Sequence, residues 1–167
     1  MMANTFLQIC FHIVFSTKER TPNISKDRQK ELYSYVWGIN KKLKCHLYRV
    51  GGIEDHVHIL THIHPTVSLS SYIEQIKTGT PNWIRRERVF VQWPGWQDGY
   101  GAFTESVTEI ERLTNYIINQ EQHHRSISFV DEYKQLLREH KIDFNERTRG
   151  LALCASTTAI QMTPLRG

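Results

Sequence analysis

The chain has 167 residues, 40% of them hydrophobic and 23% charged, with a formal net charge of +4 and an isoelectric point of about 9.0. That length suits one domain with a real core, and the composition is that of a soluble globular protein rather than a disordered or membrane-spanning one. The basic balance modestly favours nucleic acid over an acidic partner. Cys10, Cys45 and Cys154 are an odd set without Cys-x-x-Cys spacing, which argues against a disulfide framework and a thiolate zinc site.

Taken in order, Thr5 to Ser16 is rich in Phe, Ile and Val and reads as a first strand. Gln8 and His12 interrupt it and no basic region precedes it, so it is neither a signal peptide nor a membrane span. A cytoplasmic protein is the expectation. Ser25 is placed to cap a helix whose apolar residues Leu32, Tyr35, Val36, Ile39 and Leu43 recur at helical spacing. His46 to Gly52 reads as a second strand, with Gly51-Gly52 a turn or bulge leading into a third that Pro65 stops. Ser68 opens a helix carrying Leu69, Tyr72, Ile73 and Ile76, which Gly79-Thr80-Pro81 is expected to break or kink. Val89 to Trp93 and Gly99 to Thr104 read as strand pieces around Pro94-Gly95. Ser106 with Glu109 suggests a capping box for a helix with Val107, Ile110, Leu113, Ile117 and Ile118 on one stripe. A last helix spans about Val130 to His140. The order predicts an α+β domain, residues 1–149, with an antiparallel ferredoxin-like or RRM-like sheet covered on one side by helices. Residues 150–167 are expected to form a flexible tail.

The third strand carries the chemistry. In Asp55-His56-Val57-His58-Ile59-Leu60 the strand period turns His56 and His58 to one face and Val57 and Ile59 to the other. Same-face neighbours stand about 6.6 Å apart, close enough for two imidazoles to share one cation. The pair is a candidate metal platform needing at least one more ligand; an ordinary half-buried pair fits the pattern equally well. His62 and His64 share the parity but lie about 20 and 26 Å along an ideal strand, too far for the same ion. On the helix after Ser106, Arg112, Tyr116, Gln120 and His124 form an i, i+4 row, of which His124 is assigned to a solvated helix end. Lys18, Arg20, Arg85, Arg86 and Arg88 are candidates for phosphate contacts, and solvated segment ends explain them as well. Trp93 and Trp96 are read as core or turn residues rather than stacking surfaces.

His56-Val57-His58, Trp83-Ile84, Trp96-Gln97-Asp98-Gly99-Tyr100-Gly101-Ala102-Phe103 and Tyr116-x-x-x-Gln120, in that order, resemble the single-tyrosine HUH transposases of simple bacterial insertion sequences, with REP-associated tyrosine transposases as close relatives. The resemblance spans about residues 4–147, with Pro81 as a departure where the family leads one to expect an unbroken helix. It implies that His56, His58 and Gln120 hold a divalent metal, and that Tyr116 attacks a DNA phosphate to give a 5′-phosphotyrosine and a free 3′-hydroxyl. A glutamine among the ligands suits Mg²⁺ or Mn²⁺ better than a closed zinc site. It also implies single-stranded DNA as substrate, with hairpins at element ends, and a homodimer in which the tyrosine helix can act in trans.

Two rival histidine chemistries fit poorly. Leu60 occupies the place of a third alternating histidine, as nucleotide hydrolases of the histidine-triad kind need, and no second His-x-Thr motif supports a two-motif phosphoesterase. A domesticated HUH single-strand endonuclease, and a non-catalytic module binding single-stranded nucleic acid, stay open as alternatives.

Overall fold

The structure, a computed structural model, describes residues 7–144. Among these residues the strands and α-helices follow one another as β1 (Cys10–Ser16), α1 (Gln29–Lys42), β2 (His46–Gly52), β3 (His56–His62), α2 (Leu69–Glu87), β4 (Gly101–Glu105), α3 (Ile110–Ile118), α4 (Gln120–His123) and α5 (Phe129–Glu139). The strands form one antiparallel sheet in the order β2-β3-β1-β4. The β1-α1-β2-β3-α2-β4 succession is therefore the ferredoxin-like α+β arrangement that the pattern predicts. The expected tail, residues 150–167, lies outside the described residues, as do residues 5 and 6 of the expected first strand. Among the described residues no helix is long and apolar enough to cross a membrane.

Strand alternation splits the core in two. Ile13, Phe15, Val57 and Ile59 point to one face, where Leu32 and Val36 of α1 and Tyr72, Ile73, Ile76 and Ile84 of α2 cover them. The opposite face is also covered, which the sequence reading did not anticipate. There Leu113 and Ile117 of α3 pack on Cys10 and Leu60, and Phe129, Tyr133 and Leu136 of α5 pack on Val14 and Phe103. His12, His56 and His58 share this second face and are buried. Of the expected stripe on α3, Val107 and Ile118 are instead about half exposed, at 51% and 49%.

Local expectations differ at several points, beginning with the Ser25 cap: α1 starts at Gln29, with Arg28 at its N-cap position and no side-chain cap. The helix α2 runs unbroken through Pro81. Proline inside a helix costs about 3 kcal/mol, whereas each large apolar side chain buried on either side returns about 1.5–3 kcal/mol. Tyr72, Ile73, Ile76 and Ile84 therefore outweigh it, and Thr80 is held in place by donating to the Ile76 carbonyl (2.7 Å) and accepting from the Trp96 indole (2.7 Å). Residues 89–93 form no strand. Their apolar residues plug the core singly, with Val89 and Phe90 buried, while Gln92 and Gly95 turn the chain through positive φ. Trp96, read from the sequence as a core or turn residue, is buried and meets Phe15 edge-on at 4.8 Å. Last, Ser106 caps a single tight turn over 107–109 through the Thr108 amide, and the Glu109 carboxylate pairs with Arg112 instead of closing a capping box.

Gly51-Gly52 is the end of β2 and not a turn. A side chain at Gly51 would meet Ile117 Cγ2 at 2.7 Å and the Ile117 carbonyl oxygen at 2.9 Å. The missing Cβ lets α3 lie directly on the sheet, beside His58, the register partner of Gly51.

Candidate functional site

The site lies between β3 and the helices α3–α5. Each strand histidine is held from behind through Nδ1. His56 Nδ1 is 2.7 Å from Asp55 Oδ1, and His58 Nδ1 is 2.9 Å from Nε2 of His12 on β1. Both Nε2 atoms are thereby aimed at the helices. Phe129 stacks on the His56 ring at 4.3 Å and fixes its plane.

The helical side meets them. Although α3 stops at Ile118, the hydrogen bonds Asn119 N–H to Asn115 O, His123 N–H to Asn119 O and His124 N–H to Gln120 O carry the helical spacing onward. Tyr116, Gln120 and His124 consequently stay on one face, as the i, i+4 row predicts. Gln120 Oε1 is 3.1 Å from His56 Nε2 and 2.9 Å from His124 Nε2. His124 Nε2 is itself 3.1 Å from His56 Nε2, while its Nδ1 lies 2.8 Å from the Ile127 carbonyl. His124 is therefore a partly buried member of the cluster, its side chain only 6% exposed, and not a solvated helix end. Helical spacing alone points it toward Gln120, and the fold of α3–α4 over β3 turns that direction inward.

Glu132 on α5, like His12, is a residue that the sequence reading missed. Its Oε1 accepts hydrogen bonds from the Tyr116 hydroxyl and from Gln120 Nε2, the latter at 2.9 Å. Its Oε2 faces His124 Nε2 at 3.2 Å, His58 Nε2 at 3.5 Å and His56 Nε2 at 3.8 Å. The signal was present: Glu132 falls between Phe129, Tyr133 and Leu136 on the buried stripe of its helix, where a carboxylate is costly unless it has partners.

These contacts set the protonation preferences. Burial pushes the His58 imidazole down to about 4, despite the pull of the Glu132 carboxylate. Burial also disfavours charge on His124, yet the nearby Glu132 carboxylate raises it above the ordinary value. Burial works against ionised Glu132 too, but the neighbouring imidazoles of His124 and His58 hold its carboxyl far below the usual range. The Tyr116 phenol is pushed well above its usual range, first by burial and then by Glu132.

The donor set fits a divalent cation. His58 Nε2 and Glu132 Oε2 are buried without a hydrogen-bond partner, and ligand atoms of His56, His58, His124 and Glu132 all lie within 4.8 Å of one another. Imidazole nitrogens with carboxylate and amide oxygens are the ligand types of such ions. Of the predicted phosphate contacts, Lys18 and Arg20 sit exposed just after β1, whose last residue Ser16 pairs with His56. Arg85, Arg86 and Arg88 are exposed at the C-terminal end of α2, with Arg86 against Glu87. His62 is half-buried outside the cluster, and His64 Nδ1 bonds Thr66.

Residues 5–120 match the family described as transposase, IS200 like. No curated protein matches the chain. Among solved structures, a protein from Deinococcus radiodurans R1 solved as a candidate transposase is 18% identical, with a TM-score of 0.51 over 72% of this chain and 97% of that one. A REP-associated tyrosine transposase bound to a REP hairpin is 11% identical, with a TM-score of 0.56 over 75% of this chain and 76% of that one. At such identities the two structures establish a shared fold.

Proposed function

The chain belongs to the IS200-like transposase family, and from that premise we propose that it cuts and rejoins single-stranded DNA through a covalent bond to Tyr116, with a divalent metal held by His56, His58 and Gln120. The observation that carries this reading is the convergence of the two strand imidazoles, the Gln120 amide oxygen and the Tyr116 hydroxyl on one buried spot within a single chain.

In the reaction the Tyr116 oxygen attacks the scissile phosphorus as its phenol proton is released to solvent. An O–P bond to the tyrosine forms and the bond to the 3′ oxygen breaks, which leaves a 5′-phosphotyrosine and, after protonation by solvent, a free 3′-hydroxyl. The ester keeps the energy of the broken bond, so a second 3′-hydroxyl can reverse the step and join strands. Bound Mg²⁺ or Mn²⁺ would act as a Lewis acid on the phosphate and leave room in its coordination shell for phosphate oxygens. Asp55 and His12 orient the strand imidazoles. Gln120 positions its oxygen by spending its amide N–H on Glu132. Phe129 and the α5 core exclude water from behind the imidazoles.

The substrate we propose is single-stranded DNA carrying hairpins at element ends, as the hairpin-bound structural relative suggests. Lys18, Arg20, Arg85, Arg86 and Arg88 offer exposed positive charge for its backbone. In this structure the Tyr116 helix faces the histidines of its own chain, so a homodimer would exchange that helix only by swinging it to the partner.

Incubation with labelled hairpin-bearing single-stranded DNA and Mn²⁺ tests the reading. A covalent adduct stable on a denaturing gel is expected from the native protein and from none of the Tyr116→Phe variant. Metal-independent binding without an adduct on any cognate end would instead indicate a binding module.

A further inference from the structure

We propose that the divalent cation is held by two further residues, His124 and Glu132, and that Glu132 also ties the cation to the nucleophile Tyr116. This deepens the metal site above and rests on that reading. Both residues lie beyond residues 5–120, the segment that matches the family.

A carbonyl or carboxylate oxygen accepts only, so a neutral ring nitrogen facing one must carry the hydrogen. His56 Nδ1 faces the Asp55 carboxylate, and His124 Nδ1 faces the Ile127 carbonyl. Each of these neutral rings therefore aims a bare Nε2 lone pair inward, and the two nitrogens stand only 3.1 Å apart. Gln120 gives its N–H to Glu132 Oε1, which fixes its amide oxygen, another acceptor, 3.1 and 2.9 Å from those same nitrogens. Glu132 Oε2 adds a charged acceptor 3.2 Å from His124 and 3.5 Å from His58. Acceptors crowded this closely repel unless a positive centre lies among them. A single proton on His124 relieves part of that repulsion in the metal-free protein; a divalent cation can engage all of the acceptors at once.

Charge points the same way. His56, His58 and Gln120 present a neutral ligand set to a doubly charged ion, whereas Glu132 adds one negative charge and a hard oxygen, the ligand that Mg²⁺ and Mn²⁺ favour. The second oxygen of the same carboxylate receives the Tyr116 hydroxyl. One side chain thus spans from the cation to the attacking atom, and α5 becomes part of the site.

Isothermal titration with Mn²⁺ alone, without DNA, tests this in the full chain. Glu132→Gln keeps the shape and the hydrogen-bonding capacity, and His124→Ala removes the second ligand. Each is expected to weaken binding roughly tenfold or more, a loss of at least about 1.4 kcal/mol. If either Glu132→Gln or His124→Ala binds within threefold of native while His56→Ala loses the ion, the two-residue extension falls and the histidine-glutamine site survives. If the native protein binds no Mn²⁺, the metal site itself falls and the extension with it. Should Glu132→Gln not fold, native crystals soaked in Mn²⁺ decide. An anomalous peak within coordination distance of Glu132 and His124 supports the assignment, and one that contacts only His56, His58 and Gln120 overturns it.

Discussion

His12 offers the sharpest test of how the strand histidines are held. Its Nε2 lies 2.9 Å from His58 Nδ1, the two rings stack at 5.2 Å, and both residues are fully buried. For His58 to aim a lone pair at the cation its proton must sit on Nδ1, so His12 must accept through Nε2 and carry its own proton on Nδ1, which faces Glu105 at 3.8 Å. Burial lowers the His12 imidazole well below its ordinary value, which keeps it in the neutral form that this role needs. His12→Phe preserves a ring in the stack and removes the acceptor. The His58 N–H then becomes an unsatisfied buried donor, worth about 1–3 kcal/mol of stability. Losing the partner that orients a metal-bound histidine costs about 10–100-fold in affinity, or about 1.4–2.7 kcal/mol. Urea unfolding measures the first and Mn²⁺ titration the second. If stability drops by this amount while Mn²⁺ affinity stays within threefold of native, His12 is a packing residue and the orientation argument is wrong.

Two more predictions follow from other contacts. Gly51→Ala drives a methyl group into Ile117 at 2.7 Å, so it should destabilise the fold by about 1–3 kcal/mol and, by lifting α3, slow adduct formation at Tyr116; an unchanged melting temperature would count against that packing. The metal-free protein should lose stability in mild acid. The folded His58 value of about 4 lies below the ordinary 6.5, so its contribution is complete above pH 6.5 and is lost as pH falls toward 4, at about 1.4 kcal/mol per pH unit and about 3 kcal/mol in all. His124, raised instead, contributes fully below pH 6.5 and fades above it. Urea midpoints measured between pH 4 and 8 should therefore peak near neutrality, and a midpoint flat from 4 to 6.5 would contradict the burial of neutral His58.

Local geometry was legible in the order of residues. The period of two in β3 put His56 and His58 on one face, and the period of 3.6 put Tyr116, Gln120 and His124 on another, because side-chain direction follows from backbone geometry within a few residues. The ferredoxin-like order was legible for the same reason, each element announcing its own period. Where a neighbour distant in the chain decided the outcome, the pattern was silent. Pro81 reads as a breaker until Trp96 and the α2 core hold its helix together, and Val89-Phe90 reads as a strand until the core takes each side chain singly. Glu132 was one acidic residue on an amphipathic helix until α5 crossed the second face of the sheet, and His12 was an interruption in β1 until register set Val14 opposite His58. Tertiary structure alone brought these residues together, since the closure of a site from strands and helices tens of residues apart depends on which faces pack, a property of the assembled sheet that no single segment carries.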